Sequence, residues 1–140
     1  MANEHVLLTQ VTFPQSFTCA NGTGIEKGSV LKRADPDTVS LSTGDNDIVA
    51  GILYSEKIAS DGNTKCSVVV GPGDIFIATA SGAVTVGDPI GTWSSSAVSN
   101  IVASIANTPN LSGAKRLGYA RETAATGETF RYELNIGSGV

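Results

Sequence analysis

Short apolar runs separated by turn residues follow one another along the whole of this 140-residue chain. The stretch 81–93, SGAVTVGDPIGTW, is an example, because a Gly-Asp-Pro turn joins two apolar runs. Near the C-terminus, Phe130, Tyr132 and Leu134 alternate with charged residues, which is the period-two pattern of a half-buried strand. Runs of this length, rich in β-branched residues and bounded by Gly, Pro, Asp and Asn, predict strands joined by tight turns. The chain is therefore predicted to be all-β, a sandwich or a barrel.

One segment departs from this pattern. Between residues 94 and 115, apolar side chains recur at the spacing of one helical face, at Val98, Ile101, Val102 and Ile105. This spacing predicts one short helix near 98–106. Because all four side chains are β-branched, the same run is also compatible with a strand.

The two halves of the sequence resemble each other. Residues 25–31, IEKGSVL, and residues 84–90, VTVGDPI, share an apolar residue, a glycine and a second apolar residue at the same spacing. Further on, AGILYSEKIASDGNT at 50–64 resembles LGYARETAATGET at 117–129. The similarity predicts two related halves that close around one core, with 94–115 as an insertion in the second. The alternative is that glycine-rich turns look alike by chance.

Composition and charge exclude several classes of protein. The net charge is −4 and the nine Lys and Arg residues are scattered, whereas nucleic-acid-binding domains cluster their basic residues. The N-terminal sequence MANEHVLL lacks the basic and apolar regions of a signal peptide, and no apolar run reaches the length of a membrane span. We therefore expect a soluble protein made in a cytoplasm, with neither nucleic acid nor membrane as a partner.

The sequence offers no set of residues suited to catalysis or to metal binding. The one histidine, His5, lies near the N-terminus, which is a poor position for a preorganised base. Cys19 and Cys66 are too few and too far apart in sequence for a zinc site. They could form one disulfide, although a reducing compartment favours two buried thiols. We expect no enzymatic activity, no catalytic residue, no metal and no cofactor.

Four motifs, taken in order, carry a resemblance to a known family. They are Ile25-x-x-Gly28, Ala50-Gly51-Ile52, Ser81-Gly82-Ala83-x-x-x-Gly87-Asp88-Pro89 and Gly118-x-Ala120-x-x-Thr123-Ala124-x-x-Gly127-Glu128. In this order they resemble the capsid cement, or head decoration, proteins of tailed bacteriophages. The resemblance covers roughly residues 24–136, and both the first 20 residues and the insertion 94–115 depart from it.

The resemblance implies a single small β-barrel of the β-tulip type at 21–140, preceded by an N-terminal strand or arm at 1–20. It also implies a structural virion protein, made in the host cytoplasm, that binds the outer surface of a phage capsid. There it would cement neighbouring major capsid subunits and stabilise the expanded head. Its partners would be the major capsid protein and further copies of itself, in a trimer, and the family has no catalytic residues to transfer.

The candidate contacts with the capsid or with a neighbouring subunit lie in the arm and at the single tryptophan. They are His5, Val6, Leu7, Leu8, Val11, Phe13 and Trp93. The extended arm could add a strand to the sheet edge of a neighbour. The alternative function is a carbohydrate- or receptor-binding β-domain of a virion appendage, in which Trp93 and Tyr119 would stack on the ligand.

Overall fold

The computed structural model describes residues 4–34, 37–42, 48–92, 101–104 and 116–136. Within these ranges the regular elements are β-strands, and the all-β prediction is confirmed. The strands of the first half are β1 (Val6–Thr9), β2 (Gln15–Thr18), β3 (Val30–Ala34), β4 (Thr38–Leu41), β5 (Val49–Leu53) and β6 (Lys65–Val69). Those of the second half are β7 (Ile75–Ala80), β8 (Pro89–Thr92), β9 (Ile101–Ser104), β10 (Gly118–Ala120) and β11 (Thr129–Leu134).

The strands form two rings. Strands β2, β4, β3, β5 and β6 close into a five-stranded barrel, which we call the first ring. The other sheet has the order β1-β7-β11-β10-β8-β9, and an additional pairing of β7 with β9 closes its last five strands into a second ring. Each half therefore closes on itself, whereas the sequence similarity had suggested two halves around one core.

The pairing pattern of the two rings is the same, which explains the internal similarity. In each ring the first strand pairs in parallel with the third, β2 with β4 and β7 with β9. An isolated bridge joins Ile25 to Lys57 in the first ring, and its counterpart joins Val84 to Ala124 in the second. The sequence repeat thus marks the same turn and hairpin geometry, used twice.

The two rings share apolar packing. Phe17, Leu31 and Val68 belong to the cluster inside the first ring. The neighbouring strand residues Val30 and Val69 face the other way and belong to the large cluster of the second ring, together with Val49, Ile52, Phe76 and Tyr132. Strand β5 is consequently buried along its whole length, since one face lines the first ring and the other packs against the second.

Two glycines allow the backbones of neighbouring strands to approach closely. A Cβ atom at Gly51 would overlap the carbonyl oxygen of Val69, and one at Gly118 would overlap that of Glu133. These glycines occupy equivalent places, because Gly51 lies opposite Leu31 and Gly118 lies opposite Ile90. Each ring therefore has one place where glycine permits a close approach of two strands.

The region expected to form a helix contains a strand. Residues 101–104 form β9, which pairs with β8 on one side and with β7 on the other. The remaining residues of 98–106 lie outside the described ranges. The four residues with helical spacing are β-branched, and two strand edges are available for pairing. Both favour a strand, although the spacing is helical. In the part of the chain that the structure describes, no helix is long and apolar enough to cross a membrane.

Gly118→Ala should lower the free energy of unfolding by about 2–3 kcal/mol, because the added methyl group overlaps the β11 backbone. Gly82→Ala is the matched control, since a Cβ atom there would meet nothing within 4 Å. Urea unfolding of both variants measures the difference. Equal stabilities for Gly118→Ala and Gly82→Ala would contradict the close approach of β10 and β11.

Candidate partner-binding surface

The N-terminal strand lies between the two rings. Strand β1 pairs antiparallel with β7, with Val6 opposite Ile77 and Leu7 opposite Phe76. Because β11 runs along one edge of β7, β1 and β9 share the other edge. The chain then crosses to β2 in the first ring, so that residues 4–18 connect both rings. In this structure, β1 adds to a sheet edge of its own chain.

His5 fixes the start of this segment. Its side chain is buried, and Nδ1 lies 2.6 Å from the hydroxyl oxygen of Tyr132, which is itself fully buried. The His5 backbone N–H donates to the carbonyl oxygen of Gly28 in the first ring at 2.8 Å. Burial raises the pKa of the Tyr132 hydroxyl well above its ordinary value, so this group remains protonated. His5 therefore connects the two rings, and its side chain is buried within the chain.

Asp74 fixes the other end of the segment. Its buried carboxylate accepts hydrogen bonds from the backbone N–H groups of Val11, at 2.6 Å, and Thr12, at 3.1 Å, and from the Thr12 hydroxyl at 2.6 Å. Hydrogen bonds to a carboxylate are stronger than neutral ones. Sequence reasoning missed this residue, because Asp74 follows the turn Gly71-Pro72-Gly73 and resembles a turn residue. The contact joins Asp74 to two residues that lie 63 and 62 positions earlier in the sequence.

From Val6 to Phe13 the segment exposes four large apolar side chains, which we call the N-terminal ridge. They are Val6 (53% exposed), Leu8 (49%), Val11 (64%) and Phe13 (91%). Leu7, also a candidate contact, packs against the large core cluster instead. Trp93 lies outside the described residues. Residues 6–25 contain no charged side chain, so the segment that carries the ridge is itself uncharged.

An open groove lies beside the ridge, where the rings meet, and we call it the inter-ring groove. Its volume is about 680 Å³. Buried residues of both rings form its floor, namely Gly28, Leu53, Val69 and Phe76. The exposed side chains of Val6 and Tyr54 also line it. The sequence pattern did not single out Tyr54, because only the fold brings it close to β1.

The two cysteines are buried free thiols inside the first ring. Burial, and then the proximity of Cys19, raise the pKa of the Cys66 thiol from 9.0 to about 12. Among the described residues, no three His, Cys, Asp or Glu side chains are grouped so that they could hold a metal ion.

The fold has a counterpart among solved structures. The chain is similar to the N base of the head fiber protein gp8.5 of bacteriophage phi29, with a TM-score of 0.55 and 16% sequence identity. The similarity covers 89% of this chain and 97% of that one. The two chains share a fold. Neither a protein-family model nor a curated protein matches the sequence.

Asp74→Asn should lower the free energy of unfolding by about 2–4 kcal/mol, because an amide cannot accept all three hydrogen bonds. The amide protons of Val11 and Thr12 should also exchange faster with solvent. Asp88→Asn is the control, since the Asp88 carboxylate accepts one hydrogen bond, from Thr85 in an exposed turn. Unchanged exchange at Val11 and Thr12 in Asp74→Asn would show that Asp74 does not anchor the segment.

Stability should fall as the pH rises from about 9 toward about 12. The folded chain binds the Cys66 proton more tightly than the unfolded chain does. The full contribution of this thiol to the free energy of unfolding is therefore present below pH 9 and is lost as the pH rises above it. The limiting slope is about 1.4 kcal/mol per pH unit. Urea unfolding at a series of pH values checks this, and Cys66→Ala should flatten the first part of the decline. A wild-type stability that stays constant up to about pH 11 would contradict the burial of this thiol.

Proposed function

We propose that this chain is a structural protein of a phage virion that binds the outer surface of the capsid and cements neighbouring major capsid subunits, thereby stabilising the expanded head. The observation that carries the proposal is the fold shared with the base of a phage head fiber over nearly the whole of both chains. The four ordered motifs that resemble capsid cement proteins support the same role. A chain of this kind acts through the surface that it presents, without enzymatic chemistry.

The N-terminal ridge supports the proposal, because it is apolar, exposed and rigidly held. Exposed apolar patches on soluble domains mark interaction sites. The ridge is anchored at His5 and Asp74, so little conformational entropy remains to be lost when a partner binds. Since residues 6–25 carry no charge, capsid binding through the ridge should depend weakly on salt.

The net charge of −4 fits a position outside the capsid, because packaged DNA repels an acidic protein. Several copies joined in a closed oligomer, a trimer by the resemblance, would present the same surface to several capsid subunits. Modest contacts then add up to tight retention on the particle. Binding only to the expanded lattice would stabilise that lattice by mass action. The proposal includes neither nucleic acid nor membrane as a partner.

The double variant Leu8→Ser/Val11→Ser should bind expanded capsids about 10–100-fold more weakly than the unmodified chain, because it removes apolar area from the ridge. The measurement is co-sedimentation with expanded empty capsids and with unexpanded precursors of the phage that encodes the chain. Val86→Ser is the matched control, since Val86 is 59% exposed on the second ring, away from the ridge.

The unmodified chain should pellet with expanded capsids only, and Val86→Ser should behave in the same way. A chain that binds neither kind of particle would overturn the proposal. If it then bound a glycan array, and Tyr119→Ala removed that binding, the receptor-binding alternative would replace it.

A further inference from the structure

We propose that Asn21 and Gly22 form a self-modification site, at which the folded chain converts Asn21 into a mixture of aspartate and isoaspartate. The reactants are the chain itself and water. The two residues form an exposed turn after β2, and they are the one Asn-Gly pair of the sequence. They belong to a pair of loops at the end of the first ring, residues 19–24 and 57–63, which we call the first-ring tip. The inference goes beyond the proposed function and does not depend on it.

The reaction begins when the backbone nitrogen of Gly22 attacks the side-chain carbonyl carbon, Cγ, of Asn21. A bond forms between this nitrogen and Cγ, and the bond between Cγ and Nδ2 breaks. Ammonia leaves, and the proton of the Gly22 N–H reaches it through solvent. Water then opens the cyclic imide at one of its two carbonyl groups. Opening at Cγ gives aspartate, and opening at the main-chain carbonyl gives isoaspartate. Glycine favours the attack because it has no side chain beside the nucleophilic nitrogen.

The attacking nitrogen is accessible, and its peptide group is activated. A Cβ atom at Gly22 would meet nothing within 4 Å. In the described part of the chain, the Gly22 N–H donates no hydrogen bond. The carbonyl oxygen of the same peptide bond, that of Asn21, accepts two, from the Ser60 N–H at 2.7 Å and from the Lys57 ammonium at 3.2 Å. Both donors stabilise the negative charge that the peptide group acquires when its N–H loses the proton.

The side-chain carbonyl under attack is polarised as well. Oδ1 of Asn21 accepts a hydrogen bond from the Gly62 N–H at 2.7 Å. Negative charge develops on Oδ1 when the nitrogen attacks Cγ, and a backbone N–H that already points at this oxygen stabilises that charge. The same contact holds the Asn21 side chain against the neighbouring loop, so less conformational freedom is lost before the reaction.

Lys57 is the buried charge that organises these contacts. Its side chain is 2% exposed, and its ammonium also donates to the carbonyl oxygen of Ile58 at 2.6 Å and to Oδ1 of Asp61 at 2.8 Å. The residue that forms the corresponding bridge in the second ring is Ala124, which carries no charge. The cation is therefore a feature of the first-ring tip and not of the repeated fold.

The tip contains a second pair of the same reactive type, Asp61-Gly62, which the geometry protects. The hydrogen bond from Lys57 holds the pKa of the Asp61 carboxyl below its ordinary value, so this group is ionised. A carboxylate is a poor target for a nucleophile, and the Gly62 N–H is already bound to Asn21. We therefore expect the reaction at Asn21 and not at Asp61.

The first test uses the unmodified chain only. Samples are incubated at mildly alkaline pH, either folded or unfolded in guanidinium chloride, and are then digested. Mass spectrometry measures the isoaspartate formed at residues 21 and 61. Because donors contribute less at an exposed site than in a water-excluded one, folding should accelerate the conversion of Asn21 by a modest factor of about 3–10. Folding should slow isoaspartate formation at Asp61. Slower conversion of Asn21 in the folded chain than in the unfolded chain would overturn the proposal.

The second test removes the activating charge. Lys57→Met should slow the conversion of Asn21 about 3–10-fold in the folded chain and leave the rate in the unfolded chain unchanged. Lys65→Met is the matched control, because Lys65 is an exposed cation of the same ring whose ammonium donates to the Thr18 hydroxyl. This variant should convert at the rate of the unmodified chain. An equal or higher rate in folded Lys57→Met than in the unmodified chain would contradict activation by the tip.

Conversion adds one negative charge to the net charge of −4, so ion-exchange chromatography separates the product from the unmodified chain. Capsid binding is a separate measurement. A chain that converts at Asn21 but binds no capsid would leave this inference intact and remove the proposed function. A chain that binds capsids but is protected by folding at Asn21 would do the reverse.

Discussion

The packing of the two rings against each other is the contact on which the other features depend. Residues on the outer face of the first ring, Val30, Ile52 and Val69, join the core of the second, so neither ring buries its apolar surface alone. Within each ring, Gly51 and Gly118 let the backbones of neighbouring strands approach closely.

Strand β1 lies between the two rings and also carries exposed apolar side chains. His5 ties it to Gly28 in the first ring and to Tyr132 in the second, and Asp74 ties its far end to the start of β7. The buried side of the segment, His5 and Leu7, stabilises the molecule, while the exposed side forms the N-terminal ridge. Because successive side chains of a strand point to opposite faces, one face of the segment is buried and the other is exposed. The backbone that connects the rings also holds Phe13 in place.

Much of the fold could be predicted from the sequence, because turn residues and strand alternation are local signals. Phe130, Tyr132 and Leu134 alternate in the sequence as they do in β11, and the repeated glycine spacing marked two related halves. Helical spacing over 98–106 was a poor guide, because β9 finds partners on both sides, and Val102 pairs with both Ala80 and Thr92. Of the predicted contact residues, Val6, Leu8, Val11 and Phe13 are exposed, whereas His5 and Leu7 are not.

The sequence by itself determined the strand-and-turn class, the internal repeat and the apolar, uncharged character of the N-terminal segment. These follow from neighbouring residues and from composition, which require no knowledge of long-range contacts. Only the tertiary structure decided that each half closes into its own ring, that Asp74 holds residues 63 positions away, and that Tyr54 faces β1 across a groove. Such contacts join segments that are distant in the chain, and their partners are chosen by packing and hydrogen bonding in the folded molecule rather than by local pattern.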